Sequence, residues 1–478
     1  MDKETFRQYG YEFVDWIADY FDNVRNYPIR SSVNPGDIKS LLPGSPPPEG
    51  EDMATIWKDF QDIILPGITH WQHPGWFAFF PANNSPASVL GELLTAGIGA
   101  QCMVWETSPA AAELEERVLE WLRQMLGLPA GLSGVIQDTA STATLTALLT
   151  ARETASGFSS NETGIAGNMR VYTSAEAHSS IEKGVKIAGY GSKNLCYIPT
   201  GEDYAMLPDK LEQAIRDDLD AGKKPACVVA TIGTTSSTAI DPLPEIGRIC
   251  RKYRVWLHVD AAFTGTAAIL EENSNLLKGA EYADSFVFNP HKWLLTNFDC
   301  SAYFVKEPEL LIRTMTINPE YLKTASDEKV HNYRDWGIQL GRRFRALKLW
   351  FVIREYGVSG LKEIVRKHIR LAGLFAYRIK SSEEFELMAP VNTNLVCFRW
   401  NDGSRSEKEL NILNKKLLSR INESGSVYLT HTILSGRYTI RMAVGQRTTE
   451  KEDIARAWEV IKYSLKEIKK STGRPGTS

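Results

Sequence analysis

The chain opens on a helical pattern. Phe6, Tyr9, Phe13, Trp16, Ile17 and Tyr20 form an apolar stripe along an otherwise polar segment. The stretch Pro43-Gly44-Ser45-Pro46-Pro47-Pro48 then rules out helix or central strand. Such an arm has no core of its own, so its stripe needs a surface elsewhere; a partner subunit is the preferred surface and the same chain the alternative. From about residue 86 short apolar runs alternate with amphipathic segments. Helices are predicted at Ala111–Leu126 and Thr142–Arg152, and strands at Arg170–Thr173, Ala226–Ile232, Val255–Asp260, Ser285–Phe288 and Ser301–Val305. This alternation predicts α/β units around a mostly parallel sheet. A long helix near Leu347–Tyr356 leads to another helix and to strands at Asn394–Trp400, Val427–Thr430 and Tyr438–Val444. A terminal helix follows, with Ile454, Trp458, Ile461 and Leu465 on one face. The expected organisation is a helical arm over 1–85, a large α/β domain over 86–347, a small α+β domain over 348–470 and a disordered tail over 471–478.

Length and composition agree with that division. A chain of 478 residues exceeds one compact core, so two or three domains are expected. With 43% hydrophobic residues, 24% charged residues and a net charge of -3, neither a nucleic-acid surface nor a polybasic membrane patch is expected. The six cysteines are scattered, without a CxxC pair or Cys/His ligand spacing, so reduced thiols and no metal site are expected. The amino terminus starts charged, and no apolar run reaches the roughly 20 residues of a bilayer span. A soluble, cytoplasmic protein is the expectation.

Three tracts carry the chemistry. Asn289-Pro290-His291-Lys292-Trp293 follows directly on the apolar run Ser285–Phe288, placing a lysine at a strand end, although an ordinary loop lysine fits the same position. The run from Val255 to Phe263 ends a strand on Asp260, facing the crevice where parallel sheets bind ligands; an N-cap is the other reading. The tract Gly134 to Thr142 passes from an apolar strand through hydroxyl and small residues into a helix, which suits either a cap or a phosphate cradle. Together they meet the needs of pyridoxal phosphate: an amine to form an imine, a carboxylate to keep the pyridine nitrogen protonated, and N–H donors for the phosphate.

HVDAAF, NPHKWLL and GVIQDTAS resemble the group II pyridoxal-phosphate decarboxylases, and the similarity is greatest to the aromatic-L-amino-acid decarboxylases. It runs from His70-Trp71 to the final helix and includes LGRRFRALKLWFVIREYG at 340–357. The resemblance implies the type I fold of pyridoxal-phosphate enzymes, the aspartate aminotransferase-like arrangement, and a homodimer with shared active sites. It implies Lys292 as the Schiff-base lysine, Asp260 as the acid on the pyridine nitrogen, and His178 as the ring-stacking histidine that helps orient the substrate carboxylate. Ala140, Ser141, Asn289 and His291 match positions around the phosphate. Thr235 matches a residue near the cofactor face, and Ala262 one packed on the ring. Tyr321, within the polar tract 318–327, resembles a proton-donating tyrosine on a mobile catalytic loop. Some relatives carry Phe there and make aldehydes, so Tyr321 with His178 points to an amine-forming decarboxylase.

The fold alone does not choose among pyridoxal-phosphate reactions. The substrate lining implied by the resemblance is Trp71, Phe79, Phe80, Pro81 and Ala82, with Gln101 and Met103 matching positions contributed by the other subunit. An aromatic, uncharged lining suits a large apolar side chain and disfavours glutamate. Gly341 leaves room where relatives with Ser favour imidazole or phenol substrates. Animal DOPA decarboxylases carry tyrosine and threonine at the positions of Phe79 and Ala82. The expectation therefore leans to phenylalanine or tryptophan over DOPA, with broad specificity. An aromatic aldehyde synthase and a catalytically inactive cofactor-binding homologue are the alternatives.

Overall fold

The structure is a computed structural model that describes residues 1–165, 167–317 and 329–472, apart from the last two side chains. Tyr321 and the tract around it, and the tail beyond Thr472, lie outside the described residues.

Seven strands form the larger sheet: β1 (Ser133–Gln137), β2 (Met169–Ser174), β3 (Leu195–Ile198), β4 (Lys224–Thr231), β5 (Trp256–Asp260), β6 (Ser285–Phe288) and β7 (Ser301–Val305). Their order is β1-β7-β6-β5-β4-β2-β3, with β7 antiparallel to both its neighbours and the remaining pairs parallel. The central strands read as continuous apolar runs because both faces are covered. Alternate side chains serve different cores. Val228, Ala230, Leu257 and Val259 pack in one, while Cys227, Val229, Trp256 and Val287 pack in another with Ala143, Ala147 and Leu148. Trp256, His258 and Asp260 thus share the face covered by the helix Ala140–Ser156.

A second sheet of four antiparallel strands has the order β10-β11-β9-β8, from β8 (Phe385–Leu387), β9 (Leu395–Trp400), β10 (Thr430–Leu434) and β11 (Arg437–Ala443). Its core includes residues of the helices Glu407–Glu423 and Lys451–Thr472. The segment Arg345–Lys380 is two helices joined at Gly357, whose φ of 61° suits glycine, in line with the expected helix end at Tyr356. Its first part packs with the large sheet through Leu349 and Val352, and its last part with the small sheet through Phe375 and Ile379.

The strand expected at Val427–Thr430 needs correction. Tyr428 makes a single bridge to Trp76, and the strand proper begins at Thr430. β10 has a solvent face, so its burial alternates and its pattern is mostly polar, which hid it. β3, an edge strand whose middle is partly exposed, and β8, of three residues, were not expected from the sequence.

The aromatic stripe of the first helix, Lys3–Asn23, is met partly within the same chain. Phe13 and Trp16 pack on Trp57, at 4.6 and 5.7 Å between ring centroids, and the Tyr20 hydroxyl lies 2.9 Å from His70 Nδ1. Its other side, with Phe6 and Ile17, lines an apolar groove of about 700 Å³ against Pro86, Leu90 and Leu93.

Candidate active site

The parallel register brings the carboxyl ends of the strands to one edge. Thr231 pairs with Asp260, and Asp260 with Val287, so the segments that follow β4, β5 and β6 leave the sheet side by side. Gln137 at the end of β1 faces Ser301 at the start of β7, which brings the helix at Ala140 to the same edge. There a cavity of about 210 Å³ is lined by all nine residues expected around the cofactor: Ala140, Ser141, His178, Thr235, Asp260, Ala262, Asn289, His291 and Lys292.

Asp260 Oδ1 accepts the Ala262 N–H at 3.0 Å, a turn contact that leaves the second oxygen without a hydrogen-bond donor among the described residues. The carboxylate has no ion-pair partner among the described residues, although Lys292 shares its cavity. Beneath it runs a neutral chain. Trp256 Nε1–H donates to Ser285 Oγ (2.9 Å), Ser285 Oγ lies 2.9 Å from His258 Nδ1, and His258 Nε2 is 3.3 Å from Thr144 Oγ1. Burial holds His258 at a pKa of about 4, so it stays uncharged there. Burial also pushes the Lys292 ammonium below the ordinary lysine value, with Asp260 opposing.

The helix Ala140–Ser156 presents free donors. Thr139 Oγ1 caps the Thr142 N–H (3.4 Å) and Thr139 O takes the Ala143 N–H (3.1 Å). The Ala140 and Ser141 N–H groups have no acceptor among the described residues, so cap and anion cradle coexist here. His291 Nδ1 accepts the Cys300 N–H (2.9 Å), which places the proton of its neutral ring on Nε2; burial lowers its pKa to about 3. Asn289 Oδ1 accepts from Ser301 Oγ (2.6 Å), leaving its NH2 free to donate. At the mouth, His178 Nδ1 accepts the Ser180 N–H (3.1 Å) and lies 2.7 Å from Ser180 Oγ, so Nε2 carries the proton of the neutral ring. Partial enclosure lowers the pKa of His178, with Asp260 opposing and Lys292 reinforcing.

Several lining residues were not singled out from the sequence: Ser180, Thr231, Gly233 and Phe263 among them. Thr231 Oγ1 is buried without a hydrogen-bond partner among the described residues. Gly233 has φ +92°, and a Cβ there would meet Thr264 Oγ1 at 1.9 Å, so only glycine passes. Phe263 stacks on Phe80 (3.9 Å) and on Trp293 (5.2 Å). Arg441, buried in β11, has its guanidinium carbon 5.2 Å from the Phe80 ring centre, and Lys292 Nζ is 5.6 Å from the same point. A charge inside the apolar run Tyr438–Val444 was the signal for it.

The expected substrate residues divide into two groups. Of the first group only Phe80 lines the cavity; Trp71 stacks on Phe79 at 5.6 Å, and Pro81 and Ala82 continue that segment outside the cavity lining. Gln101, Met103 and Gly341 do not line the cavity. They belong to a second cluster, where Gln101 Oε1 accepts the Arg342 N–H (2.7 Å) and Gln101 Nε2 is 3.4 Å from where a Cβ on Gly341 would stand. Met103 O there accepts the Arg334 N–H (2.8 Å).

One amine, one unpaired carboxylate, a cradle of N–H donors and an orphaned hydroxyl suit a cationic heterocycle with an aldehyde and a phosphate. The chain matches the pyridoxal-dependent decarboxylase conserved domain over residues 35–401. The chain belongs to the pyridoxal-dependent decarboxylase family. Among its decarboxylase relatives is tyrosine decarboxylase 3 of Petroselinum crispum, 43% identical over 96% of this chain and 92% of that protein. Phenylacetaldehyde synthase of Arabidopsis thaliana is 42% identical over 96% of each. The crystal structure of Oryza sativa TDC with PLP and tryptamine superposes with a TM-score of 0.95 at 37% identity, covering 98% of this chain and 99% of that one.

Proposed function

We propose that this decarboxylase uses pyridoxal phosphate to convert an aromatic L-amino acid to the arylalkylamine and carbon dioxide. The observation that carries the reading is the buried amine of Lys292 and the unpaired carboxylate of Asp260 lining one cavity. Bound pyridoxal phosphate supplies a sink for the electron pair left by the departing carboxyl group. Lys292, less basic than a surface lysine, holds the cofactor covalently. Asp260 keeps a proton on the pyridine nitrogen. The N–H groups of Ala140, Ser141, Asn289 and His291 would hold the phosphate, and Thr235 and Ala262, which line the same cavity, would contribute to holding the cofactor. His178 offers Nε2–H to the substrate carboxylate, and its lowered pKa keeps it a neutral donor near pH 7. Tyr321 delivers the proton that replaces the carboxyl group.

The aromatic segment Trp71–Ala82 supports a large uncharged side chain, with phenylalanine and tryptophan preferred over DOPA. The second cluster of Gln101, Met103 and Gly341 and the exposed apolar residues Phe6, Leu93, Leu94 and Ile98 support a homodimer whose partner completes each substrate pocket. Six free cysteines support a reducing, cytoplasmic setting.

Phenylacetaldehyde synthases at 42% identity keep a second reading alive, in which dioxygen is reduced to peroxide and the amino acid gives an aldehyde, ammonia and carbon dioxide. A panel of phenylalanine, tyrosine, DOPA, tryptophan and 5-hydroxytryptophan, scored for carbon dioxide, amine, ammonia and peroxide, tests both. Amine stoichiometric with carbon dioxide supports the proposal. Stoichiometric peroxide selects the second reading, and no carbon dioxide from any substrate overturns both. Sedimentation of Leu93→Asp, expected to weaken a dimer seen in the parent protein, tests the assembly.

A further inference from the structure

The segment Ala82–Ser85 touches the Lys292 turn from outside the cavity. Asn83 is fully buried, and its side chain joins two remote parts of the chain. Its Nδ2 donates to the carbonyl of Lys292 itself (3.1 Å) and to that of Gly445 (2.6 Å), while its Oδ1 accepts the Arg447 N–H (3.1 Å). The Asn83 N–H also points to the Lys292 carbonyl (3.4 Å). Gln72 braces this residue from both sides, donating to Ala82 O (2.7 Å) and accepting from Asn84 N (3.2 Å). One turn further on, Ser85 Oγ donates to Leu295 O (2.9 Å).

A second link reaches the same loop from the next residue of the turn. Trp293 Nε1–H donates to His368 Nδ1 (2.9 Å), and His368 Nε2 lies 3.0 Å from Gln446 O. Trp293 can only donate, so His368 must carry its proton on Nε2 and give it to Gln446. Burial holds that ring neutral, with a pKa of about 3. Residues 445–447 begin two positions after β11 ends at Ala443, so the backbone of Lys292 and the side chain of Trp293 are both tied to the loop that leaves the small sheet.

We infer that Asn83 is a positioning residue for Lys292, fixing the peptide that carries the reacting amine to the small-sheet loop Gly445–Arg447. The inference rests on Lys292 being the cofactor's covalent anchor. Asn83 contacts neither the cavity nor, on this account, cofactor or substrate. Its effect is on the reach and orientation of the lysine, which depend on where the carbonyl of its own residue is held. Within the side chain the Nδ2 donor is the half that matters, because it reaches Lys292 while Oδ1 faces Arg447.

Two variants separate that role from general packing. Asn83→Ala removes the side-chain clasp and leaves the backbone N–H of residue 83 facing the Lys292 carbonyl. Asn83→Asp keeps an acceptor for Arg447 but sets an oxygen against the carbonyls of Lys292 and Gly445. Holoenzyme of each is followed by retention of bound pyridoxal phosphate during dialysis, by the pH midpoint of its visible absorbance change, and by thermal unfolding. Losing a buried hydrogen bond to the anchor peptide should weaken retention about tenfold in both variants, with a displaced absorbance midpoint and KM for the amino acid little changed. Lowered thermal stability with retention and midpoint as in the parent would overturn the inference. If Asn83→Ala does not fold, Asn83→Asp decides alone: parental retention refutes, weakened retention supports. A parent protein with cofactor not bonded at Lys292 would instead sink the anchor assignment, and this inference with it.

Discussion

Replacing Asp260 by Asn isolates charge from shape. Asn is nearly the same size and retains an oxygen for the Ala262 N–H that Oδ1 accepts at 3.0 Å. The neutral chain from Trp256 to Thr144 beneath it is untouched, so folding should change by no more than about 1 kcal/mol. What disappears is the anion facing the cavity, whose partner on this account is the protonated pyridine nitrogen. Asp260 is only 5% exposed, so water screens the pair little. Breaking such a pair by removing one partner costs about 3–5 kcal/mol. At 1.36 kcal/mol per tenfold in rate, that is a loss of roughly 10²–10⁴ in turnover. The assay is carbon dioxide release under saturating cofactor, with cofactor content and thermal unfolding measured on the same preparations, and Asp260→Ala as comparator. An Asp260→Asn enzyme that is fully loaded, normally stable and within tenfold of the parent rate would refute the assigned role.

Other outcomes follow from the same geometry. Tyr321→Phe should keep cofactor binding and lose most amine formation, with aldehyde and peroxide rising; unchanged amine yield removes Tyr321 from the mechanism. Ala82→Thr should return a hydroxyl beside the substrate ring and raise kcat/KM for DOPA relative to phenylalanine, by about 1–3 kcal/mol at most; an unchanged ratio places residue 82 outside the pocket. His258, His291 and His368 are held by burial at pKa values of about 4, 3 and 3, below the 6.5 of a free imidazole. The unfolded chain therefore takes up their protons first, and stability falls as pH drops below about 6.5, by about 1.4 kcal/mol per pH unit for each histidine. Asp241 and Asp284, raised by burial to about 6, work in the opposite direction below that pH. His368→Gln should accordingly flatten the acid side of a thermal-unfolding profile, and an equally steep decline would contradict the burial argument.

The central sheet was legible because β5, β6 and β7 are buried along their whole length and so are dense in apolar residues; β6 and β7 fall on their expected bounds. Short edge strands such as β3 leave no such trace. The cofactor residues were readable for a related reason: Asp260, Asn289, His291 and Lys292 lie at or directly after strand ends, so the sheet converts local motifs into one cavity. Arg441, Asn83 and His368 reach the site through tertiary contact alone. Asn83 meets Lys292 across 209 positions and Gly445 across 362, separations at which no local pattern survives. Gln101 and Gly341 were named from resemblance, and their proximity, away from the cavity, emerged only from the fold.

The most direct measurement is borohydride reduction of the holoenzyme followed by peptide mass spectrometry. A single pyridoxyl adduct on Lys292, lost in Lys292→Ala, is the expected result. An adduct on another lysine, or one that persists in Lys292→Ala, would contradict it.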